Sequence, residues 1–94
     1  MAKKLAMSGR YDAVVCLGAV IKGSTDHYEF VAKECCAGVS RAALDSGRPV
    51  NLGILTVDTL EQALERAGSK MGNIGYSATL AGIEMVNLAA MLEV

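Results

Sequence analysis

Apolar residues run without alternation from Tyr11 to Ile21 (YDAVVCLGAVI) and again from about Val50 to Val57 (VNLGILTV). Unbroken apolar runs of this length are the pattern of strands covered on both faces. Around them the spacing turns helical. Residues 2–8 read as the end of a helix, stopped by Ser8-Gly9-Arg10. After the first strand, Lys22-Gly23-Ser24-Thr25-Asp26 is a turn that feeds a second helix, with Asp26 as its cap and Glu29 three residues later in support. That helix is expected to run to about Leu44. Val31, Cys35, Gly38/Val39 and Ala42 form its sheet-facing side, while Lys33, Glu34 and Arg41 lie elsewhere on its surface. Asp45-Ser46-Gly47-Arg48-Pro49 breaks it before the second strand. Asp58 and Thr59 then open a third helix, in which Thr59 and Gln62 are spaced for a capping box. Leu60, Ala63, Leu64 and Ala67 make its stripe, and Gly68 stands where a C-terminal cap belongs. Ser69 to Gly75 read as a loop, followed by a long final helix to about Leu92.

The order α-β-α-β-α-α implies an α/β fold with parallel strands joined by right-handed crossovers. Two needs are left open. Two strands make a poor sheet, yet both read as buried and require neighbours on their edges. The final helix carries only Glu84 and Glu93 as charges after Lys70, so it reads as covered nearly all round. Missing strands and partner subunits are both expected to supply the cover.

Composition narrows the class. With 94 residues the chain has room for one domain, spanning 1–94. A chain this short buries only about 60–65% of its unfolded surface and gains from partner subunits. Nine Lys and Arg against ten Asp and Glu leave no basic excess for nucleic acid or an anionic membrane surface. The apolar fraction of 52% with a net charge of -1 excludes disorder. Cys16, Cys35 and Cys36 lack the spacing of a disulfide framework, and His27 is the single histidine, so no metal site is expected. They read as reduced thiols in a cytoplasmic protein. The first ten residues lack the long apolar core of a secretory signal. The stretch from Tyr76 to Leu92 carries Glu84 mid-span and reads as a buried helix rather than a membrane span.

The segment that carries chemistry is Gly18 to His27 (GAVIKGSTDH). In open parallel sheets, ligands bind outside the carboxyl ends of the strands, where strand leads into helix. Gly23 lets a backbone approach a ligand closely, and Ser24 and Thr25 offer hydroxyls and amides at a helix N-terminus, which favours anions. A phosphate or carboxylate is a sensible guest. An ordinary turn and cap accounts for the same Gly-Ser-Thr-Asp residues. His27 reads either as a packing residue or as a proton-transfer group, since imidazole exchanges protons near neutral pH. Arg66 is either a cation answering the end of its helix or a grip on a phosphate.

At these residues the sequence resembles the lumazine synthases, which make 6,7-dimethyl-8-ribityllumazine in riboflavin biosynthesis. The resemblance runs through YDAVVCLGAVIKGSTDHYEFVA (11–32), NLGILTVDTLEQALERAGSKMGN (51–73) and GIEMVNLAAML (82–92), nearly the whole chain without gaps. Its most specific parts are Gly-x-Thr-x-His at 23–27, Gly-Ile-Leu-Thr at 53–56 and Glu-Gln-Ala-Leu-Glu-Arg-Ala-Gly at 61–68. It implies a flavodoxin-like, three-layer α/β/α fold with a parallel sheet. It also implies a condensation, without metal or organic cofactor, of a ribitylamino-pyrimidinedione amine with 3,4-dihydroxy-2-butanone 4-phosphate. By position, His27 is the implied proton-transfer residue. Gly23, Ser24 and Thr25 are implied to hold the butanone phosphate with help from Arg66, and Ala19, Val20 and Ile21 to contact the pyrimidine. Family members form pentamers, some built into larger shells, with each active site between neighbouring subunits.

Three departures from the family pattern stand out. The chain starts where the family's sequence is well under way, so earlier strands have no counterpart, and Ala2 to Arg10 read as an internal helix of a truncated product. Leu52 occupies a position where an aromatic often lines the neighbouring subunit's pyrimidine pocket; stacking is lost and an apolar wall kept. Ile74 replaces a commonly basic residue in the loop after Gly72-Asn73, removing a positive charge. Two further readings compete with a synthase: an inactive fold or assembly unit with a residual phosphate site, and an unrelated flavodoxin-like phosphate binder. The second requires the motif agreement to be accidental.

Overall fold

The computed structural model describes residues 1–24 and 26–94. It contains helix α1 (Ala2–Met7), strand β1 (Val14–Ile21), helix α2 (Tyr28–Ser46), strand β2 (Val50–Val57), helix α3 (Leu60–Arg66), the short strands β3 (Ala67–Ser69) and β4 (Gly72–Asn73), and helix α4 (Ile74–Leu92). β1 and β2 pair in parallel, with Val14 opposite Val50 and Ile21 opposite Val57. The chain is thus α/β, as the unbroken apolar runs imply.

Strand alternation separates the two faces of this sheet. A Cβ placed on Gly53 would stand 2.8 Å from Leu17 Cδ2 and 3.3 Å from Ala78 Cβ, and one on Gly75 would stand 3.4 Å from the same Leu17 atom. Leu17, Gly53 and their odd-numbered neighbours therefore look toward α4. Cys16, Leu52 and the other even-numbered positions look toward the side where the α2 crossover packs. Helix α4 and the α2 crossover thus pack on opposite sides of the strand pair, consistent with a flavodoxin-like fold.

The elements differ from the sequence reading in places that have physical causes. β1 starts at Val14, not Tyr11, because its first ladder bond runs from Val14 N–H to the Pro49 carbonyl (2.9 Å). Pro49 has no N–H of its own with which to carry the pairing further back. Asp12, just before the strand, instead meets Arg48 at 3.3 Å. α2 extends two residues past Leu44 to Ser46 and ends at Gly47 in the left-handed region (φ 68°), a conformation that glycine adopts without strain. Its N-cap is His27 rather than Asp26, with no side-chain cap bond. The Thr59–Gln62 capping box is present as the spacing predicts. α3 ends on Ala67, and Gly68 follows with φ +119°. The loop expected over 69–75 is instead the β3–β4 hairpin running into α4. Ile74 accordingly lies in the first turn of α4, whose cap Asn73 accepts the Tyr76 N–H (3.0 Å).

Burial departs furthest from expectation. The buried apolar residues are Ala6, Val39, Ala42, Val57, Ala63 and Ala78, all small. Of the residues expected to line α2 toward the sheet, Val39 and Ala42 are buried and Cys35 is half-buried, but Val31 and Gly38 are exposed. Leu17, in the middle of β1, is 67% exposed, so this strand is not covered on both faces. Leu80, Ile83, Met85 and Leu88 leave α4 open along one side, contrary to all-round cover. A recess of about 260 Å³ lies between Ala13 and Val15 and the α4 residues Gly82, Ile83 and Val86, with no β2 residue in its lining. The cause is the size of the sheet: a strand pair has two open edges and too little width to roof a 19-residue helix. No helix among the described residues is long and apolar enough to cross a membrane.

Gly53 is tightly enclosed, since a Cβ there would also stand 3.1 Å from the Cys16 carbonyl oxygen. Replacing Gly53 by valine should destabilise the chain by about 2 kcal/mol through overpacking. Urea unfolding followed by circular dichroism reads this directly; an unchanged midpoint would show that the two strands separate there without loss.

Candidate functional site

The carboxyl end of β1 is tied to the start of α3. Lys22 N–H donates to the Val57 carbonyl (2.9 Å) and Gly23 N–H to the Asp58 carbonyl (3.4 Å). These bonds carry the parallel pairing past Ile21 and set the point at which the chain leaves the sheet. Gly23 then takes φ +57°, with nothing within 4 Å of where its Cβ would be. The glycine is therefore required by backbone conformation, not by crowding. Its amide is engaged with Asp58, so at this bend the Gly23 N–H is not free to hold an anion.

Ser24 is exposed, and no hydrogen bond among the described residues engages its hydroxyl. Thr25, expected beside it on the phosphate, lies outside the described residues. His27 is exposed and sits on the N-cap of α2 in a helical conformation (φ -83°, ψ -9°). Its carbonyl accepts the Val31 N–H at 3.1 Å, the first bond of the helix. Because the side chain makes no cap bond, the imidazole is not committed to closing the helix end. It is neither buried nor a packing residue. A cleft of about 270 Å³ opens beside it among Lys22, Asp26, Tyr28 and Glu29. Two carboxylates against one ammonium make that cleft a poor phosphate holder by itself. Among the described residues, Lys22 is the one cation lining that cleft, at a position the sequence reading took only as part of the turn.

Ala19, Val20 and Ile21 occupy the last three positions of β1, opposite Leu55, Thr56 and Val57. They share one end of the sheet with Gly23, Ser24 and His27. The two remaining residues lie farther along their elements. Leu52 pairs with Cys16, five positions before the end of β2, hence about 16 Å down the strand. It is 39% exposed, an apolar side chain only partly covered by the rest of the chain. Arg66 closes α3 seven residues after its Thr59 cap, about 10 Å along the helix axis, and is exposed.

Residues 1–90 match the family described as 6,7-dimethyl-8-ribityllumazine synthase. The chain belongs to that family. A 6,7-dimethyl-8-ribityllumazine synthase of Prosthecochloris aestuarii is 59% identical over 88 residues, which cover 94% of this chain and 57% of that protein. The chain therefore spans little more than half the length of the curated relative it matches. Within this chain, the sheet end gathers Ala19 to Ile21, Gly23, Ser24 and His27, whereas Leu52 and Arg66 lie farther along their elements.

The left-handed conformation at Gly23 generates one expected outcome. Gly23→Ala should lower stability by about 1 kcal/mol from the strained φ alone, with no clash to add to it. A larger drop in the thermal midpoint than this strain explains would mean that the bend is packed more tightly than its open surroundings indicate.

Proposed function

We propose that this chain supplies the phosphate-side part of a lumazine synthase active site. In this reading the site condenses 5-amino-6-(D-ribitylamino)uracil with 3,4-dihydroxy-2-butanone 4-phosphate. The observation that carries it is the exposed, uncapped imidazole of His27 next to the Gly23 bend at the carboxyl end of β1. Ser24 and Thr25, at the entry to α2, take the phosphate oxygens, and the α2 N-terminus favours their charge. Lys22 offsets part of the repulsion from Asp26 and Glu29. His27 moves the protons that imine formation, phosphate departure and ring closure require. Ala19, Val20 and Ile21 offer strand-end backbone to the pyrimidine.

Leu52 and Arg66 enter by assembly. Strand and helix rise place them about 16 Å and about 10 Å from the ends of the elements that reach the bend. In this reading they serve the ligand of a neighbouring copy. In a ring of copies, such as a pentamer, the Leu52 wall and the Arg66 guanidinium of one subunit complete the site of the next. The exposed large apolar residues on β1, α2 and α4 support such an assembly, because faces of this kind need cover.

Catalysis needs both substrates held together, and the chain spans 57% of its relative. The chain alone should show little or no formation of the lumazine chromophore when both substrates are supplied. Turnover matching a full-length family member would overturn the half-site reading. Joined in frame to the remaining segment of the Prosthecochloris relative, it should turn over. A folded fusion without activity favours the competing reading of the chain as an inactive fold unit. In an active fusion, His27→Ala should lower kcat by about 100-fold or more with a smaller change in KM; unchanged kcat removes the proton-transfer role.

A further inference from the structure

We propose that two copies of this chain pair edge to edge through β1, antiparallel about a two-fold axis at Gly18, so that Ile21 of each copy fills the recess beneath α4 of the other. The proposal does not rest on the synthase reading.

The ladder bonds decide which backbone groups are left over. At the two ends of the ladder, Val14 and Lys22 donate to the Pro49 and Val57 carbonyls. In a parallel ladder one residue turns its N–H and C=O to one side, and the next residue turns both to the other. The even-numbered residues of β1 thus serve β2. Val15, Leu17, Ala19 and Ile21 aim their backbone groups at the opposite edge, where no strand lies among the described residues. Val14–Ile21 holds no charge and no proline, the devices that keep natural edges from pairing. Leu17, Gly18, Ala19 and Ile21 are all exposed.

An antiparallel copy centred on Gly18 satisfies these groups in one register. Val15 then stands opposite Ile21 of the other copy and Leu17 opposite Ala19, each a pair that exchanges both backbone bonds. Residues directly opposite share a face, and the odd-numbered residues look toward α4. Ile21 therefore projects beside Val15, into the recess of about 260 Å³ lined by Ala13, Val15, Gly82, Ile83 and Val86. No β2 residue lines that recess, which assigns it to the β1 edge. Asp12 stands on its rim, diagonally across from Lys22 of the other copy, so opposite charges meet there. The same patch serves both copies, and the assembly closes at two.

The area at stake suits a second copy. The chain exposes 6725 Å² at a mass of 9.8 kDa, whereas a folded monomer of that mass exposes about 5,200 Å². The surplus of about 1,500 Å² exceeds the roughly 800 Å² that each partner gives to an ordinary stable interface. A net charge of -1 sets little repulsion between copies. Pairing also covers Ala19 and Ile21 and so competes with the pyrimidine contact proposed for them.

Sedimentation equilibrium of the native chain should give twice its mass of 9.8 kDa, falling toward the single mass on dilution. Ala19→Pro removes an N–H that faces the free edge, and Gly18 before it has no Cβ to meet the proline ring. It should weaken dimerisation by about tenfold or more, with the far-ultraviolet circular dichroism unchanged. Ile83→Lys, at an exposed position on α4, should do the same by placing a charge at the recess. Gly18→Cys, with Cys16, Cys35 and Cys36 replaced by serine, reads the register. A Cβ on Gly18 would meet only Ile54, at 3.9 Å. Opposed residues at the axis have Cα atoms about 4.5 Å apart, within disulfide range, so air oxidation should link this variant into a dimer. A monomer at every concentration, a ring larger than a dimer, dimers undiminished by both Ala19→Pro and Ile83→Lys, or no cross-link through Gly18→Cys would each overturn the proposal. Uptake of the separately supplied remaining segment of the Prosthecochloris relative by a monomeric chain would give the edge to that segment and overturn it as well.

Discussion

The parallel pairing of β1 with β2 is the constraint from which the other features follow. Eight residue pairs are in register, and the pairing continues through the Lys22 and Gly23 amides onto the carbonyls of Val57 and Asp58. Parallel strands need a crossover, and α2 supplies it. The same bonds that end the ladder fix where the chain turns out of the sheet, so they also fix where Ser24 and His27 stand. The position of the candidate site is a by-product of how the strand pair terminates. Loss of register by one residue would turn every side chain of β1 to the other face and carry the bend with it.

The same pairing explains why so much apolar surface remains open. Two strands present two unpaired edges and a narrow roof. The helices that pack on them bury small residues such as Ala42, Ala63 and Ala78, while Leu17, Phe30 and Leu44 stay exposed. A chain with 52% hydrophobic residues and a core of alanine and valine leaves its larger apolar side chains uncovered. Asn51 shows the same incompleteness on a smaller scale. Its Oδ1 is buried with no hydrogen-bond partner among the described residues, and it stands 2.9 Å from where a Cβ on Gly82 would lie. An unpaired acceptor there weakens the β2–α4 contact.

Much of this was legible beforehand, and the failures have a common origin. The two strands, the Thr59–Gln62 capping box and the glycine bend were readable because each rests on a short-range rule: unbroken apolar runs, a three-residue spacing, a positive φ. Asp26 failed as a cap because the helix starts later, on His27. The β3–β4 hairpin was hidden because Ser69 to Asn73 carry turn residues and too few apolar ones to announce strands.

By itself the sequence determined the α/β order, the place of the bend and the residue types gathered around it, since these depend on local preferences and on motifs within a few positions. Its patterning predicted burial that the chain alone does not achieve, because an apolar run records a need for cover and not the source of it. Only the tertiary structure decided that the Gly23 amide is engaged with Asp58, that His27 is exposed and uncapped, and that Leu52 is paired with Cys16 well before the strand end. Those are matters of register and of distance along elements, and they exist only once the strands have paired.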